Sequence, residues 1–516
     1  MGQTIVIFGA SGDLTSRKLI PALFNLYCKG RLPDGTRIVG VSRSEMTSQA
    51  WRDKLQGTTG QFSESGFDES KWSLFSQLVE YFPGDVNLSE TFTRLDAFLS
   101  QLEGGSPTRS ALDWKRVSSN PACSEVETRP LARAASHPTG RMFYLAMAPQ
   151  TYQTIVEQLG RAGMAKQSDA ASWRRIVLEK PFGTDRASAI ALNAFIHQWF
   201  DESQIYRIDH YLGKETVANI MVLRFANTIF EPIWNRNHID NVQITAAEET
   251  IIGRRAGYYE KSGVLRDMFQ NHLLQLLILT AMEAPSRFEP DIVRDEKVKV
   301  LRAIRPMTMQ TAATDSLRSQ YRTYRDEPDV DPRSQTATFG IVKFYLENWR
   351  WQGVPFYLRS GKAMSCRTTQ IVIQFKKPPH FIFDSQKNVN PEANKLVLQI
   401  QPAEGIKLYF QTKTPDAGMA MRQTSLDFNF QSGLSATIPD SYQRLLLDVI
   451  QGDASLFARA DEVELAWSVI DPIQQAWDSG VPPLSFYESG MWGPEQAFDW
   501  MEQQDGRQWF DVCPVI

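Results

Sequence analysis

The stretch VIFGASGDLTSRKL, residues 6–19, decides the fold. It opens on a continuous apolar run, as expected of a strand covered on both faces. Gly9 and Gly12 follow, and after them a segment with helical spacing. Glycine at such a turn lets backbone approach an anion. The helix that follows offers unpaired N–H groups and the positive end of its dipole. The stretch departs from G-x-G-x-x-G, with Ser11 and Leu14 at the second and third glycine positions. Strand, turn and helix nevertheless fall in register. The expectation is a dinucleotide site at Gly9, Ser11, Gly12, Asp13 and Leu14.

The same grammar continues outward through the first 205 residues. RIVGVS (37–42), MFYLAM (142–147), RIVLEK (175–180) and QIYRI (204–208) are apolar runs. LIPALFNLYCKG (19–30) and YQTIVEQLGRAG (152–163) carry apolar residues at helical spacing and end in glycine. Alternation of this kind predicts a doubly wound parallel sheet. Glu103 to Gly140 interrupts it with a Ser-, Pro-, Arg- and Gly-rich segment that reads as a surface insertion without assignable chemistry. After residue 240 the pattern changes. VLRDMFQNHLLQLLILTAME (264–283) reads as one long helix. It precedes strand-like runs at 337–351, 368–377, 395–402, 405–412 and 425–431, and helical patterns at 440–451 and 456–478. The spacing predicts an antiparallel meander with the helix on one face. The chain is thus read as an N-terminal Rossmann-type domain over 1–205, carrying the insertion, and a larger α+β domain over 206–516 with a mostly antiparallel sheet. A length of 516 residues suits two domains.

The formal net charge of −4 gives no support to a nucleic-acid or anionic-membrane partner. Anion binding must come from a few placed cations. Cys28, Cys123, Cys366 and Cys513 lie far apart and form no C-x-x-C pair. That argues against a structural zinc site or a disulfide scaffold and fits a reducing compartment. The N-terminus has no basic n-region, and no run of about 18 apolar residues occurs. The expectation is a cytoplasmic protein.

The second strand ends VGVSRS. Where an NAD site places an acid for the ribose 2′-OH, this chain has Ser42 and Arg43. A guanidinium suits a 2′-phosphate, and Arg17 and Lys18 add charge nearby. NADP is the expected cofactor, with some use of NAD left open by the small Ser42. Among six histidines, His210 and His272 stand in charged constellations. His272 follows Asp267, Gln270 and Asn271 on the long helix, a polar run set against LLQLLIL. Lys180 in LEKPFG, Lys214 in RIDHYLGKE and Lys362 in YLRSGKAMS stand at strand or loop ends, where three cations can converge on one phosphate. A cis bond at Pro181 is open.

GASGDLT, EKPFG, RIDHYLGKE, MVLRFAN, IWNRNHI, RDMFQNHLLQ, VRDEKVKV, GVPFYLRSGKA and PDSYQRLLLDVIQGD occur in that order. On these motifs the chain resembles the glucose-6-phosphate dehydrogenase family from end to end, the insertion apart. The resemblance implies that His272 takes the C1 hydroxyl proton and that Asp209 orients it. It implies that His210, Tyr211, Lys214 and Lys362 hold the sugar phosphate, with Arg367 nearby, and that Glu248 and Asp267 accept sugar hydroxyls. Lys180, Tyr152 and Asp85 match positions around the cofactor and the C1 end. It further implies glucose 6-phosphate as substrate, no metal, and a homodimer or homotetramer formed through the large sheet. Two other readings differ in one feature each. An oxidoreductase of unphosphorylated sugars gives no reason for Lys214 with Lys362. A catalytically silent NADP-sensing protein gives none for His272 with Asp209.

Overall fold

The computed structural model describes residues 2–63, 66–104, 140–167, 172–382, 392–430 and 439–513. The insertion, with Cys123 and His137, lies outside the described residues over 105–139. Two compact units are present. One comprises residues 1–182, 192–208 and 442–454, the other 183–191, 209–441 and 455–516.

In the first unit six strands form one parallel sheet. They are β1 (Gln3–Phe8), β2 (Thr36–Ser42), β3 (Val79–Pro83), β4 (Gly140–Leu145), β5 (Arg174–Glu179) and β6 (Ile205–Ile208). Their order is β3-β2-β1-β4-β5-β6, every pair parallel. β1 and β4 are buried along their whole length, which is why they read as unbroken apolar runs. Strand order reverses between β1 and β4, so a crevice opens at their carboxyl ends. Gly9 sits there with φ +94°, a left-handed conformation, and a Cβ on it would lie 2.3 Å from the Ala146 carbonyl oxygen. Beyond the turn the chain first winds as a π-helix, Thr15–Leu19, and then as an α-helix, Ile20–Cys28. Arg141, buried at the start of β4, holds Asp96 at 2.6 Å and Glu103 at 2.8 Å. The helix Ser441–Gln451 ends against Arg175, which donates to the carbonyls of Val449 and Ile450 at 2.6 and 2.8 Å.

The second unit contains a nine-stranded sheet. Its strands are β7 (Ile239–Ala247), β8 (Ser316–Tyr321), β9 (Phe339–Tyr345), β10 (Pro355–Gly361), β11 (Thr368–Phe375), β12 (Lys395–Gln401), β13 (Gly405–Lys413), β14 (Met421–Asn429) and β15 (Ser485–Tyr487). The order is β14-β13-β12-β11-β7-β10-β9-β8-β15. The simple meander expected from the sequence is therefore corrected. β7 lies in the centre and runs parallel to β10, and β15 runs parallel to β8. The remaining pairs are antiparallel.

Two further expectations change. The single helix over 264–283 is a π-helix, Leu265–Leu273, followed by an α-helix, Leu274–Ala281. Asn271 works within the wide turns: its side-chain oxygen accepts the His272 N–H at 2.6 Å, and its amide donates to the Arg266 carbonyl at 3.2 Å. The cysteines are not all reduced, because Cys366 and Cys513 form a disulfide. The C-terminal segment crosses the sheet. Phe510 donates to Gln243 at 2.9 Å and accepts from Gln370 at 2.9 Å, and Asp511 pairs with the buried Arg359. These contacts bring together two cysteines 147 positions apart, which sequence spacing does not reveal. Cys28 is a free thiol, pushed up to about 11 by burial.

The Gly9 geometry sets a test. Gly9→Ala faces both a left-handed backbone and a collision with main chain, at a cost of about 1–3 kcal/mol from the backbone alone. The variant is expected to melt below wild type and to bind nicotinamide dinucleotide weakly, as followed by thermal denaturation and cofactor fluorescence titration.

Candidate active site

The second unit gathers its polar residues at one edge of the sheet. β7 and β10 are parallel with Ala247 opposite Gly361, so Glu248 and Lys362 leave the sheet side by side. The Glu248 N–H donates to the Gly361 carbonyl at 3.0 Å. β11 returns antiparallel from that edge, starting with Thr368 opposite Ala247, and this brings Arg367 to the same place. The Lys362 ammonium pairs with Glu248 and with Asp267, the latter at 3.1 Å. Burial works against that charge, but the two carboxylates outweigh it and hold the ammonium above the ordinary lysine value. The Tyr487 hydroxyl donates to the Lys362 carbonyl at 2.6 Å, and the ammonium lies 5.5 Å from the Tyr259 ring centre.

Asp267 and His272 both lie on the π segment. In an α-helix, residues five apart are about 140° apart around the axis. The wider i→i+5 turns of a π-helix bring them closer to one face. His272 is 2% exposed and Asp209 5%. His272 Nδ1 lies 2.6 Å from Asp209 Oδ1, a charge-assisted hydrogen-bond length. The same carboxylate oxygen accepts the Tyr211 N–H at 2.9 Å. The Tyr211 ring stacks on the imidazole with centroids 4.1 Å apart and planes at 18°, while His210 meets it edge-on at 4.7 Å. Asp209, His210 and His272 place ligand-type atoms within 4.8 Å of one another. The Nδ1–Oδ1 contact is nevertheless shorter than the ~3.3 Å separating two ligands on one tetrahedral zinc. The geometry is that of an oriented imidazole. With Nδ1–H directed to Asp209, Nε2 is the basic nitrogen.

Lys214 is the N-cap of the helix Glu215–Phe225, with its ammonium 5.8 Å from the Tyr211 ring centre. Cation and helix dipole thus coincide at one point. Arg367 is exposed.

The residues expected around a dinucleotide are in the first unit. Ser11 and Ser42 share a hydrogen bond at 2.9 Å across the ends of β1 and β2. Arg43 is exposed just beyond, as are Asp13 and Lys18. Arg17 lies 3.7 Å from Asp13. Leu14 is half-buried as the chain enters the first helix. Asp85 closes its own loop, accepting from the Asn87 N–H and amide at 3.0 and 2.8 Å. The Lys180–Pro181 bond is cis. Tyr152 is fully buried, and its hydroxyl donates to the Glu179 carbonyl at 3.0 Å. It therefore supports the strand end that carries Lys180. His197, which suggested no constellation in the sequence, bonds Glu202 at 2.7 Å beside the buried Arg207. Tyr259, Tyr487, Thr369 and Gln401 went unread, since none stands in a polar cluster of its own in the sequence.

Family comparisons cover nearly all of this. The model described as the glucose-6-phosphate dehydrogenase NAD binding domain matches residues 6–114 and 116–219, and that of the C-terminal domain residues 221–510. The chain belongs to the glucose-6-phosphate dehydrogenase family. Relatives include glucose-6-phosphate 1-dehydrogenase of Aggregatibacter actinomycetemcomitans, 41% identical over 98% of this chain and 96% of that one. That of Bacillus subtilis is 39% identical over 98% of each. Among solved structures, a glucose-6-phosphate dehydrogenase in complex with glucose 6-phosphate superposes with a TM-score of 0.84 at 32% identity, covering 99% and 98% of the chains. The enzyme from Mycobacterium avium gives 0.80 at 30% identity, covering 99% and 100%. The chain is an oxidoreductase with a nicotinamide-dinucleotide-binding domain of Rossmann type, acting on a substrate like glucose 6-phosphate. Among the described residues no helix is long and apolar enough to cross a membrane.

Removing the Lys362 charge leaves Glu248 and the buried Asp267 uncompensated, so Lys362→Met should cost about 3–5 kcal/mol near neutral pH. Because the folded lysine is raised, its contribution is complete below the unfolded value of about 10.4 and is lost as pH climbs through the folded one. Denaturant melts of both proteins across that window should converge at high pH.

Proposed function

We propose that this enzyme oxidises D-glucose 6-phosphate at C1 to the 6-phosphoglucono-lactone with NADP⁺ as the preferred hydride acceptor, the first step of the oxidative pentose phosphate pathway. The observation that carries the reading is the buried His272–Asp209 pair, on a segment that also presents Asp267 to Lys362. Gly9 lets the turn after β1 pack against the Ala146 carbonyl, where a Cβ would collide, and so gives the tight turn that a pyrophosphate would approach. Gly9, Ser11 and Gly12 would hold its pyrophosphate at the helix start, with Asp13, Leu14, Lys18, Asp85, Tyr152 and Lys180 around it and Arg43 on a 2′-phosphate. When bound, it supplies the acceptor for the C1 hydride.

His272 Nε2 takes the proton of the C1 hydroxyl as hydride departs. Asp209 fixes the tautomer and stabilises the imidazolium that results. Glu248 and Asp267 accept sugar hydroxyls, and Lys362 holds both carboxylates in place. His210, Lys214 and Arg367 bind the phosphate, which is remote from the reacting carbon and anchors the sugar for transfer.

A dinucleotide-reduction assay with glucose 6-phosphate and glucose, each with NADP⁺ and NAD⁺, tests the assignment. Turnover on glucose alone would overturn it. His272→Asn is expected to lower kcat by about 10²–10⁴ with dinucleotide affinity nearly intact, and near-wild-type turnover would remove His272 as the base. Lys214→Met should mainly raise KM for the sugar phosphate. Arg43→Ala should cut the NADP⁺ over NAD⁺ preference in kcat/KM by roughly 10–100-fold, the weight of one charged hydrogen bond. A preference that survives would take Arg43 out of the cofactor site.

A further inference from the structure

The connection between β9 and β10 carries two tryptophans, two residues apart, with opposite fates. Trp351 is fully buried and donates its indole N–H to the Ala281 carbonyl at 2.8 Å. Trp349 is 87% exposed. The Arg236 guanidinium covers one face of its ring, 5.1 Å from the ring centre. A ring left in water with a cation on one face can stack a planar ligand on the other.

Arg236 stands where two cavities meet. One, of about 890 Å³, is lined by Trp349 and Arg350, and the other, of about 430 Å³, by Lys376, Arg507 and Asp240. Arg236 and Asn237 line both. Each volume falls in the range of small-molecule sites. The smaller cavity is cationic. Arg507 grips Asp240 through Nε and Nη2, at 2.7 and 3.1 Å. The Lys376 ammonium donates to the Arg236 carbonyl at 2.6 Å, and among the described residues no carboxylate lies within ion-pair distance of Arg236 or Lys376. Three cations thus face one acid, on a chain whose net charge is −4. Asp240 stands at the start of β7 and Lys376 follows the end of β11, so the groove lies at the opposite end of these strands from Glu248. The turn after β1 belongs to the first unit, and this groove to the second.

We propose that the groove is a second ligand site, for an adenine nucleotide. The base stacks on the open face of Trp349, and the phosphates meet Arg236, Lys376 and Arg507. The Asn237 side chain, which has no hydrogen-bond partner among the described residues, stands between the two halves. Its amide offers the donor and acceptor that match an adenine edge. Cations and an amide around one exposed ring suit a small anion with a planar base better than an apolar protein face.

Calorimetric titration of the whole chain with adenosine 5′-triphosphate tests the site. Trp349 and Lys376 are exposed, so Trp349→Ala and Lys376→Met should fold as wild type does. Each is expected to weaken one class of sites, one per chain, by about 10-fold or more. Kinetics in the dinucleotide-reduction assay should not change. Trp349→Phe keeps a ring and should recover most of the affinity. Tripolyphosphate and adenosine, titrated separately, divide the two halves. Tripolyphosphate binding should depend on Lys376 and not on Trp349, and adenosine binding the reverse. Binding of the triphosphate that neither variant alters, or none at millimolar concentration, overturns the proposal. So does dissociation of Trp349→Ala into smaller species on size-exclusion chromatography, which would give the ring to a second copy of the chain.

Discussion

The register between β7 and β10 is the constraint on which the site depends. Parallel neighbours require a long crossover, because their like ends lie on the same side of the sheet. With Ala247 matched to Gly361, the next residues of both strands, Glu248 and Lys362, leave at one edge. The crossover between them is where the π segment lies, with Asp267 and His272 on it. One pairing therefore delivers both ends of the Glu248–Lys362 contact and the segment that completes it with Asp267. A slip of one residue would turn every side chain of β10 to the opposite face and carry Lys362 away from Glu248.

The π segment meets a second demand. Asp267 and His272 must both turn inward, and an α-helix would point them to different sides. Wide turns bring them closer to one face. The neighbouring Asn271 ties its own side chain to the backbone on both sides, donating to the Arg266 carbonyl and accepting from the His272 N–H. These bonds satisfy main-chain groups that the altered repeat leaves unserved. Such stretches are rare in regular helices and frequent at functional sites, and here the reason is geometric. His272 and a carboxylate that holds Lys362 are placed by one local winding.

Much of this was legible where physics is local. Strands buried on both faces read as apolar runs, so β1, β2, β4, β5 and β6 were found within a residue or two. The glycine turn after β1 was read as a place where backbone can approach an anion, and Gly9 takes a left-handed φ of +94° there. The polar run before LLQLLIL marked Asp267 and His272, while the π winding that carries them was not legible in helical periodicity. Partnership between strands was not legible. A period of two identifies a strand but not its neighbour, so the parallel β7–β10 pair and the central place of β7 were hidden behind a meander. The Cys366–Cys513 disulfide depends on a C-terminal segment that reaches the sheet through Phe510 and Asp511, contacts with no local signature. Tyr259, Tyr487, Thr369 and Gln401 were missed for the same reason. Tyr259 and Tyr487 look like ordinary core until the fold sets them beside Lys362, and Thr369 and Gln401 until it sets them at the Tyr211 hydroxyl.

Charge bookkeeping within the site sharpens the proposed division of labour. Lys362 faces two carboxylates, so the trio carries a net negative charge and offers little attraction to a phosphate. Its raised protonation equilibrium has the same origin, because the carboxylates favour the ammonium. Under the proposed function the phosphate would draw on Lys214, which stands at a helix N-terminus, and on exposed Arg367. Exposure suits Arg367, since an uncompensated guanidinium buried without a ligand would be costly. Lys362 can be buried because its counter-charges belong to the protein. On this reading the lysine of the GKA motif organises acceptors for the sugar, and phosphate binding falls to Lys214 and Arg367.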